Sequence, residues 1–172
     1  MWSPAITVAP PATLAVTRAQ VKEFLRLDAG DTAFDNEVDA WIAGVIGEAE
    51  AITGTRLITQ TVRLRADSFA DLLALPIGPV QEIALVGYLD PGADAQIVPA
   101  ERYELIGAGL ATAIRPVPGA IWPPARPITG AIAVTAVVGY GDGQDAIPPD
   151  IRIALLRAIR GYFDDKPIDL AP

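Results

Sequence analysis

The sequence predicts an α+β chain in which N- and C-terminal helices form a small bundle and an antiparallel β lobe is inserted between them. Apolar residues recur at helical spacing before residue 55 and after residue 147, and they alternate with polar residues between these limits. Turn-rich pieces such as DPGADA separate the alternating segments. The predicted parts are an extended N-terminal arm (1–16), a helical hairpin (17–55), the β lobe (56–146), a C-terminal helix completing the bundle (147–163) and a C-terminal tail (164–172).

The arm carries no charged side chain, and its prolines prevent a continuous helix, so it is predicted to be neither a signal peptide nor a membrane span. No other segment is long and apolar enough to cross a bilayer, so we expect a soluble protein assembled inside the cell. Two alternatives stay open for the arm. Either Trp2, Ile6 and Val8 dock onto another surface, or the arm is a disordered tail.

Two helices are predicted in the hairpin. In the first, TRAQVKEFLRL, Thr17 and Gln20 fit a capping box and an apolar stripe follows. The second runs from Asp35, as N-cap, to about residue 53, with Gly54 as its C-terminal cap.

The β lobe begins where the apolar period changes to two. TQTVRLRADSF alternates apolar and polar residues, as expected of a half-buried antiparallel strand. Further strands are predicted at 81–89, 96–98, 103–106, 112–115 and 131–138.

The last predicted helix starts at Pro149 and ends at about Phe163. One face is predicted to be apolar, and the remaining surface carries three arginines, which either stay solvated with i,i+4 partners or dock onto an acidic partner. The apolar face consists of Ile151, Ala154, Leu155, Ala158, Ile159 and Tyr162, and the arginines are Arg152, Arg157 and Arg160.

The stretch GYGDG at 139–143 has the order of parts of a phosphate-binding loop, since it lies between a strand and a helix. Its glycine spacing fits neither a dinucleotide fingerprint nor a P-loop, and Asp142 would repel phosphate. We interpret it as a strand-to-helix corner.

Composition excludes most catalytic chemistry. The 172 residues include no cysteine and no histidine, so thiolate and imidazole groups are missing, and the serines Ser3 and Ser68 lie in no G-x-S-x-G pattern. The carboxylate pairs Glu48–Glu50 and Asp164–Asp165 have no metal-binding spacing and are interpreted as solvated surface. We therefore expect no enzyme activity, no cofactor and no metal.

The charge balance also argues against nonspecific DNA binding. The chain has 13 basic and 21 acidic residues and a net charge of -8, whereas phosphate neutralisation needs clustered arginine and lysine. A hydrophobic fraction of 51% in so acidic a chain suggests that apolar surface is also buried between subunits.

The aromatic Trp122 has three interpretations: a lid over the apolar face of the sheet, which is favoured, an interface anchor, or a ligand-stacking residue. The last leads to the alternative function, a small-ligand or carbohydrate-binding β module on a helical base, with Trp122 and Tyr140 as stacking residues.

Six segments of the chain form an ordered series: TRAQVKEFLRLD (17–28), ITGTRLITQT (52–61), PVQEI (79–83), GAIWPPARP (119–127), AVTAVVGYGDG (133–143) and IPPDIRIALL (147–156). In this order they resemble the phage head-tail connector proteins, also called head-completion adaptors, including their counterparts in gene transfer agents. The likeness extends from about residue 15 to about residue 163, and the arm and the segment after Phe163 match no pattern of the family.

The resemblance implies a non-enzymatic, dodecameric ring beneath the portal protein, which extends the DNA channel and joins capsid to tail in the virion neck. It implies a tail-side stopper or tail terminator as a further partner, assembly in the host cytoplasm, and DNA that passes without sequence-specific binding. By analogy, the last helix and tail reach the portal. The expected portal-interface residues are Arg157, Arg160, Tyr162, Phe163, Ile168 and Leu170.

Overall fold

A computed structural model of the protein describes residues 1–164, which form three α-helices and two antiparallel sheets. The mixed α and β composition predicted from the sequence is confirmed, and every predicted helix and strand is present to within about three residues at each end. The helices are α1 (Arg18–Leu25), α2 (Asp35–Thr53) and α3 (Pro149–Asp164). The strands are β1 (Ile6–Ala9), β2 (Gln60–Ala66), β3 (Val80–Leu89), β4 (Ala95–Val98), β5 (Tyr103–Ala108), β6 (Ala111–Pro116) and β7 (Ile132–Val138).

The main sheet has five antiparallel strands in the order β1-β2-β7-β3-β4, and β5 and β6 form a separate hairpin. Because β7 is central, it alternates buried and half-buried residues along its whole length, and Val134 and Ala136 point into the core. The hairpin, a 3₁₀ turn at Phe69–Leu73 and the loop around Trp122 cover this inner face of the sheet. On the opposite, outer face Arg63 and Arg65 of β2 are exposed, and the outward residues of β7 are half-buried.

The N-terminal arm adds a strand to this sheet. β1 pairs antiparallel with β2, and before it the Trp2 indole N–H donates to the Ala74 carbonyl at 2.9 Å. Of the two alternatives, the structure shows docking onto the chain's own sheet for Trp2, which packs against the sheet core, whereas the side chains of Ile6 and Val8 stay exposed. Sequence analysis did not predict this strand. The prolines on either side of it argue against a strand, although the four residues between them can pair.

The three helices share a second apolar cluster beside the sheet. Val21 of α1, Val38 and Ile42 of α2, and Leu155 and Ile159 of α3 are all buried there. The segment that joins α2 to β2 adds buried side chains to the same cluster, so the helical layer and the β lobe are packed together.

Two of the three predicted caps are confirmed. The capping box of α1 is complete, since the Thr17 amide donates to Gln20 Oε1 at 2.9 Å and the Gln20 amide to Thr17 Oγ1 at 3.3 Å. Gly54 ends α2 in the left-handed conformation, with φ 68°. The prediction that Asp35 is the N-cap of α2 is wrong: Phe34 holds that position and makes no side-chain cap.

The Asp35 carboxylate is engaged in an ion pair instead. Lys22, whose side chain is only 6% exposed, places Nζ 2.5 Å from Asp35 Oδ1 and also donates to the Asp31 carbonyl. Arg18 adds a contact of 2.7 Å to Asp35 and bonds Asp39 as well. The hydrogen bond from Lys22 and the positive charge of Arg18 together lower the pKa of Asp35. This cluster ties α1 to the start of α2.

We expect acid to weaken the fold through Asp35. Because its folded-state pKa is lowered, the carboxylate stabilises the fold above the usual aspartate pKa of about 3.9, and this contribution is lost as the pH falls through the folded-state value. In urea unfolding, Asp35→Asn should be less stable than the wild type near neutral pH, and the difference in unfolding free energy should shrink below about pH 4.

Glu37→Gln is the matched control, since Glu37 lies in the first turn of the same helix and has no ion pair within residues 1–164. The free energy of unfolding of Glu37→Gln should equal that of the wild type at every pH. A difference for Asp35→Asn that stayed constant from neutral to acid pH would contradict the role of the ionised carboxylate.

Candidate interaction surface

The corner before α3 is built by glycine. Gly139 has φ 131°, and a methyl group there would lie 2.6 Å from the backbone of Ile58, so only glycine allows the end of β7 to cross this segment. The Gly139 amide donates to the Pro79 carbonyl at 2.8 Å, and α3 starts only at Pro149. The interpretation of GYGDG as a strand-to-helix corner is confirmed.

α3 buries only part of its predicted apolar face. Leu155 and Ile159 are buried in the helical cluster, but Ala154 and Ala158 are exposed and Tyr162 remains 49% exposed. The predicted apolar face is therefore only partly buried. Leu155 and Ile159 pack in the helical cluster together with buried residues of α2, and Ala154 and Ala158 are not part of that cluster.

Between α2 and α3 this leaves an open apolar groove of about 440 Å³. Ile52 stands at its margin with 76% of its surface exposed. Sequence analysis missed the groove because helical spacing identifies an apolar face but not how much of it a neighbouring helix covers. A pair of alanines four residues apart on α3 was the available signal. Its apolar lining consists of Val45, Ala49, Ile52, Leu57, Ile151, Ala154, Leu155 and Ala158.

The arginines of α3 differ in their partners. Arg152 lies 3.6 Å from Asp145, and Arg160 lies 3.3 Å from Asp164 in an i,i+4 pair. Arg157 is exposed and has no carboxylate within 4 Å among residues 1–164. The solvated, ion-paired interpretation thus describes Arg152 and Arg160, and Arg157 is left available to a partner.

The aromatic residues at the end of α3 both contact α2. The Tyr162 hydroxyl donates to Glu48 Oε2 at 3.4 Å, and the Phe163 ring packs edge-to-face on Trp41 at 6.0 Å between centroids. The structure therefore brings Arg157, Arg160, Tyr162 and Phe163 together on the last two turns of α3. The two remaining predicted interface residues, Ile168 and Leu170, lie outside the described residues.

The two candidate stacking residues do not form one site. Trp122 stacks on Phe69 with the ring centroids 4.6 Å apart and an interplanar angle of 6°, and it packs against the core of the sheet. Tyr140 packs against the helical cluster. The favoured interpretation of Trp122 as a lid is confirmed, and the structure offers no shared aromatic platform for a small ligand.

The predicted solvated carboxylates have structural partners where the structure describes them. Glu48 accepts the Tyr162 hydroxyl, and Glu50 accepts the Leu57 amide at 2.9 Å while lying 3.7 Å from Arg56. Within residues 1–164 no group of three acidic side chains is placed to hold a metal ion. In the same part of the chain, none of the helices has the length and apolar character to span a bilayer.

Comparison with solved structures identifies the fold. The chain superposes on a chain of the neck of an empty gene transfer agent particle computed with C6 symmetry, with a TM-score of 0.78 and 22% identity, covering 98% of this chain and 88% of that one. A chain of the virion of a native gene transfer agent particle superposes with a TM-score of 0.75 and 24% identity, and the match covers 98% of this chain and 87% of that one. A chain of the neck of a native gene transfer agent particle computed with C12 symmetry superposes with a TM-score of 0.64 and 24% identity, and the match covers 97% of this chain and 87% of that one.

No protein-family model and no curated protein matches the sequence. The structural likeness covers nearly the whole chain, so the arm, the β lobe and the helices all belong to the shared fold. The resemblance to connector proteins seen in the sequence is confirmed at the level of this fold.

The stack on Phe69 leads to a prediction for Trp122. Trp122→Ala should lower the free energy of unfolding by about 2–3 kcal/mol, less than the usual cost for a fully buried aromatic because Trp122 is half-buried. Chemical denaturation followed by far-UV circular dichroism measures this loss.

The adjacent Ile121, 78% exposed, provides the control, and Ile121→Ala should change stability by less than about 0.5 kcal/mol. Equal effects of the two variants would show that Trp122 is not a lid over the core.

Proposed function

We propose that this protein is a non-catalytic structural adaptor of a phage or gene transfer agent neck, forming a ring beneath the portal that extends the DNA channel and joins capsid to tail. The observation that carries the proposal is the fold match over 98% of the chain to a neck chain, with a TM-score of 0.78. The proposed site of action is the neck of the virion, after assembly in the host cytoplasm.

The ring is supported by symmetry and by surface chemistry. The neck structures that contain the matching chains were computed with C6 and C12 symmetry, and twelve copies satisfy both. Heterologous contacts close into rings when the rotation between neighbours is right. The exposed apolar groove between α2 and α3 adds surface of the kind that such contacts bury.

The charge of the chain suits a DNA conduit. With a net charge of -8, the protein repels the phosphate backbone, whereas a basic lumen would bind the duplex and slow its passage. DNA would then pass through the ring without sequence-specific contact.

The end of α3 is the proposed portal-facing surface. In this arrangement the three helices act as a small bundle that holds Arg157, Arg160, Tyr162 and Phe163 in fixed positions, and the tail residues Ile168 and Leu170 extend the contact. Arg157 is exposed without an ion-pair partner in residues 1–164, so it can pair with an acidic group of the portal at no cost in internal contacts. The tail-side surface would meet a stopper or tail terminator protein.

Arg157→Glu should weaken co-assembly with the portal by at least about tenfold, because it replaces the attraction to an acidic partner with repulsion. Binding of the purified chain to purified portal, measured by native mass spectrometry or interferometry at fixed salt, tests this. Arg102→Glu makes the same charge change on an exposed arginine of the β lobe and should bind as the wild type does. Equal binding by both variants would place the portal contact elsewhere.

Deleting residues 164–172 tests the tail separately. The truncated chain should keep its secondary structure, since α3 retains its buried residues, and should lose portal co-assembly. Normal co-assembly by the truncated chain would exclude the tail from the interface.

A further inference from the structure

The five-stranded sheet has two free edges of matched length. β1 and β4 end the strand order on opposite sides, and each has four residues. Natural proteins protect edge strands with charged residues or proline, because unpaired amides and carbonyls invite another strand. Neither β1 (ITVA) nor β4 (AQIV) contains such a residue.

Both edges also expose branched aliphatic side chains. Ile6 and Val8 on β1 are 66% and 50% exposed, and Ile97 on β4 is 64% exposed. These residues have high β propensity and contribute most when they pack beside another strand. An exposed, uncharged edge strand with high β propensity is suited to pair with a strand of another chain.

The edge side chains lie on one face of the sheet. Ile6 is directly opposite Arg63 of β2, and directly opposite residues point to the same side. Ile97 belongs to a row of directly opposite residues across the sheet that ends at Arg65 of β2. Because Arg63 and Arg65 are two residues apart on one strand, they point to the same face, so Ile97 and Ile6 share the outer face. The row consists of Ile97, Gly87, Ala133 and Arg65.

We infer that β1 of one copy pairs with β4 of the next copy, so that the sheets join edge to edge around the assembly. This inference rests on the proposed ring and specifies which strands form the contact between neighbouring copies, called the seam below. Neighbours in a twelve-membered ring differ by a rotation of only about 30°, which keeps strand directions close to parallel. Within one chain β1 and β4 run the same way because an even number of antiparallel steps separates them. The seam is therefore parallel, and it places Ile6 and Ile97 of neighbouring copies on the same face.

Charge complementarity favours a second copy as the occupant. Arg63, beside β1, is exposed and makes no ion pair within residues 1–164. Asp94, immediately before β4, is likewise exposed and unpaired in this part of the chain. A ring contact requires two different complementary surfaces on opposite sides of one molecule, and these edges satisfy that requirement, whereas a single foreign strand would need one edge only.

The absence of cysteine makes the seam directly testable. The test combines Ile6→Cys and Ile97→Cys in one full-length chain. Both side chains are exposed and belong to neither hydrophobic core. After assembly with the purified portal, a short bismaleimide should join neighbouring copies into a ladder of three or more chains on a denaturing gel. Either single variant should give no species larger than a dimer.

The matched control combines Ile6→Cys with Leu110→Cys, since Leu110 is 51% exposed but lies in the β5–β6 turn, outside the five-stranded sheet. Native mass spectrometry before cross-linking reports whether a ring has formed. A ring in which the Ile6/Ile97 variant gives no more ladder than this control would overturn the seam and leave the proposed function standing. Failure of every variant and of the wild type to form a ring with the portal would overturn both.

Discussion

The structure depends on the position of β7. This strand lies between β2 and β3, pairs with both along its length, and then turns at Gly139 into α3. Its inward side chains fill the core of the β lobe, and the corner delivers the last helix to the core of the helical layer. Because β7 joins the two cores, displacement of this strand would disturb the sheet and the orientation of α3 together.

Electrostatics have a local, structural role here. Lys22 and Arg18 hold the first turn of α2 through Asp35, and Glu50 bonds the chain where it leaves the helices for the sheet. These pairs hold elements in place because each joins a helix to another element, and Lys22 is almost fully buried. The remaining acidic excess is on the surface, where it affects what the assembly repels more than how the chain folds.

Much of the fold was predictable from local patterns, and much of the candidate surface was not. The capping box at Thr17, the Gly54 cap and the glycine corner before α3 are local motifs whose geometry follows from a few adjacent residues. The position of Asp35 was mispredicted because its ion pair with Lys22 joins residues that are distant in sequence. The α2–α3 groove was missed for a similar reason: periodicity identifies an apolar face but not how much of it a neighbouring helix covers.

The sequence by itself determined the types and order of the helices and strands after the N-terminal arm, and the absence of thiol and imidazole chemistry, because these follow from residue identity and short-range spacing. Only the tertiary structure decided that the arm becomes an edge strand and that two neutral edges lie on opposite sides of one sheet. It also decided that, among residues 1–164, Arg152 and Arg160 have ion-pair partners and Arg157 has none. These outcomes depend on which distant segments meet, and burial and pairing between such segments leave no periodic signal in the chain.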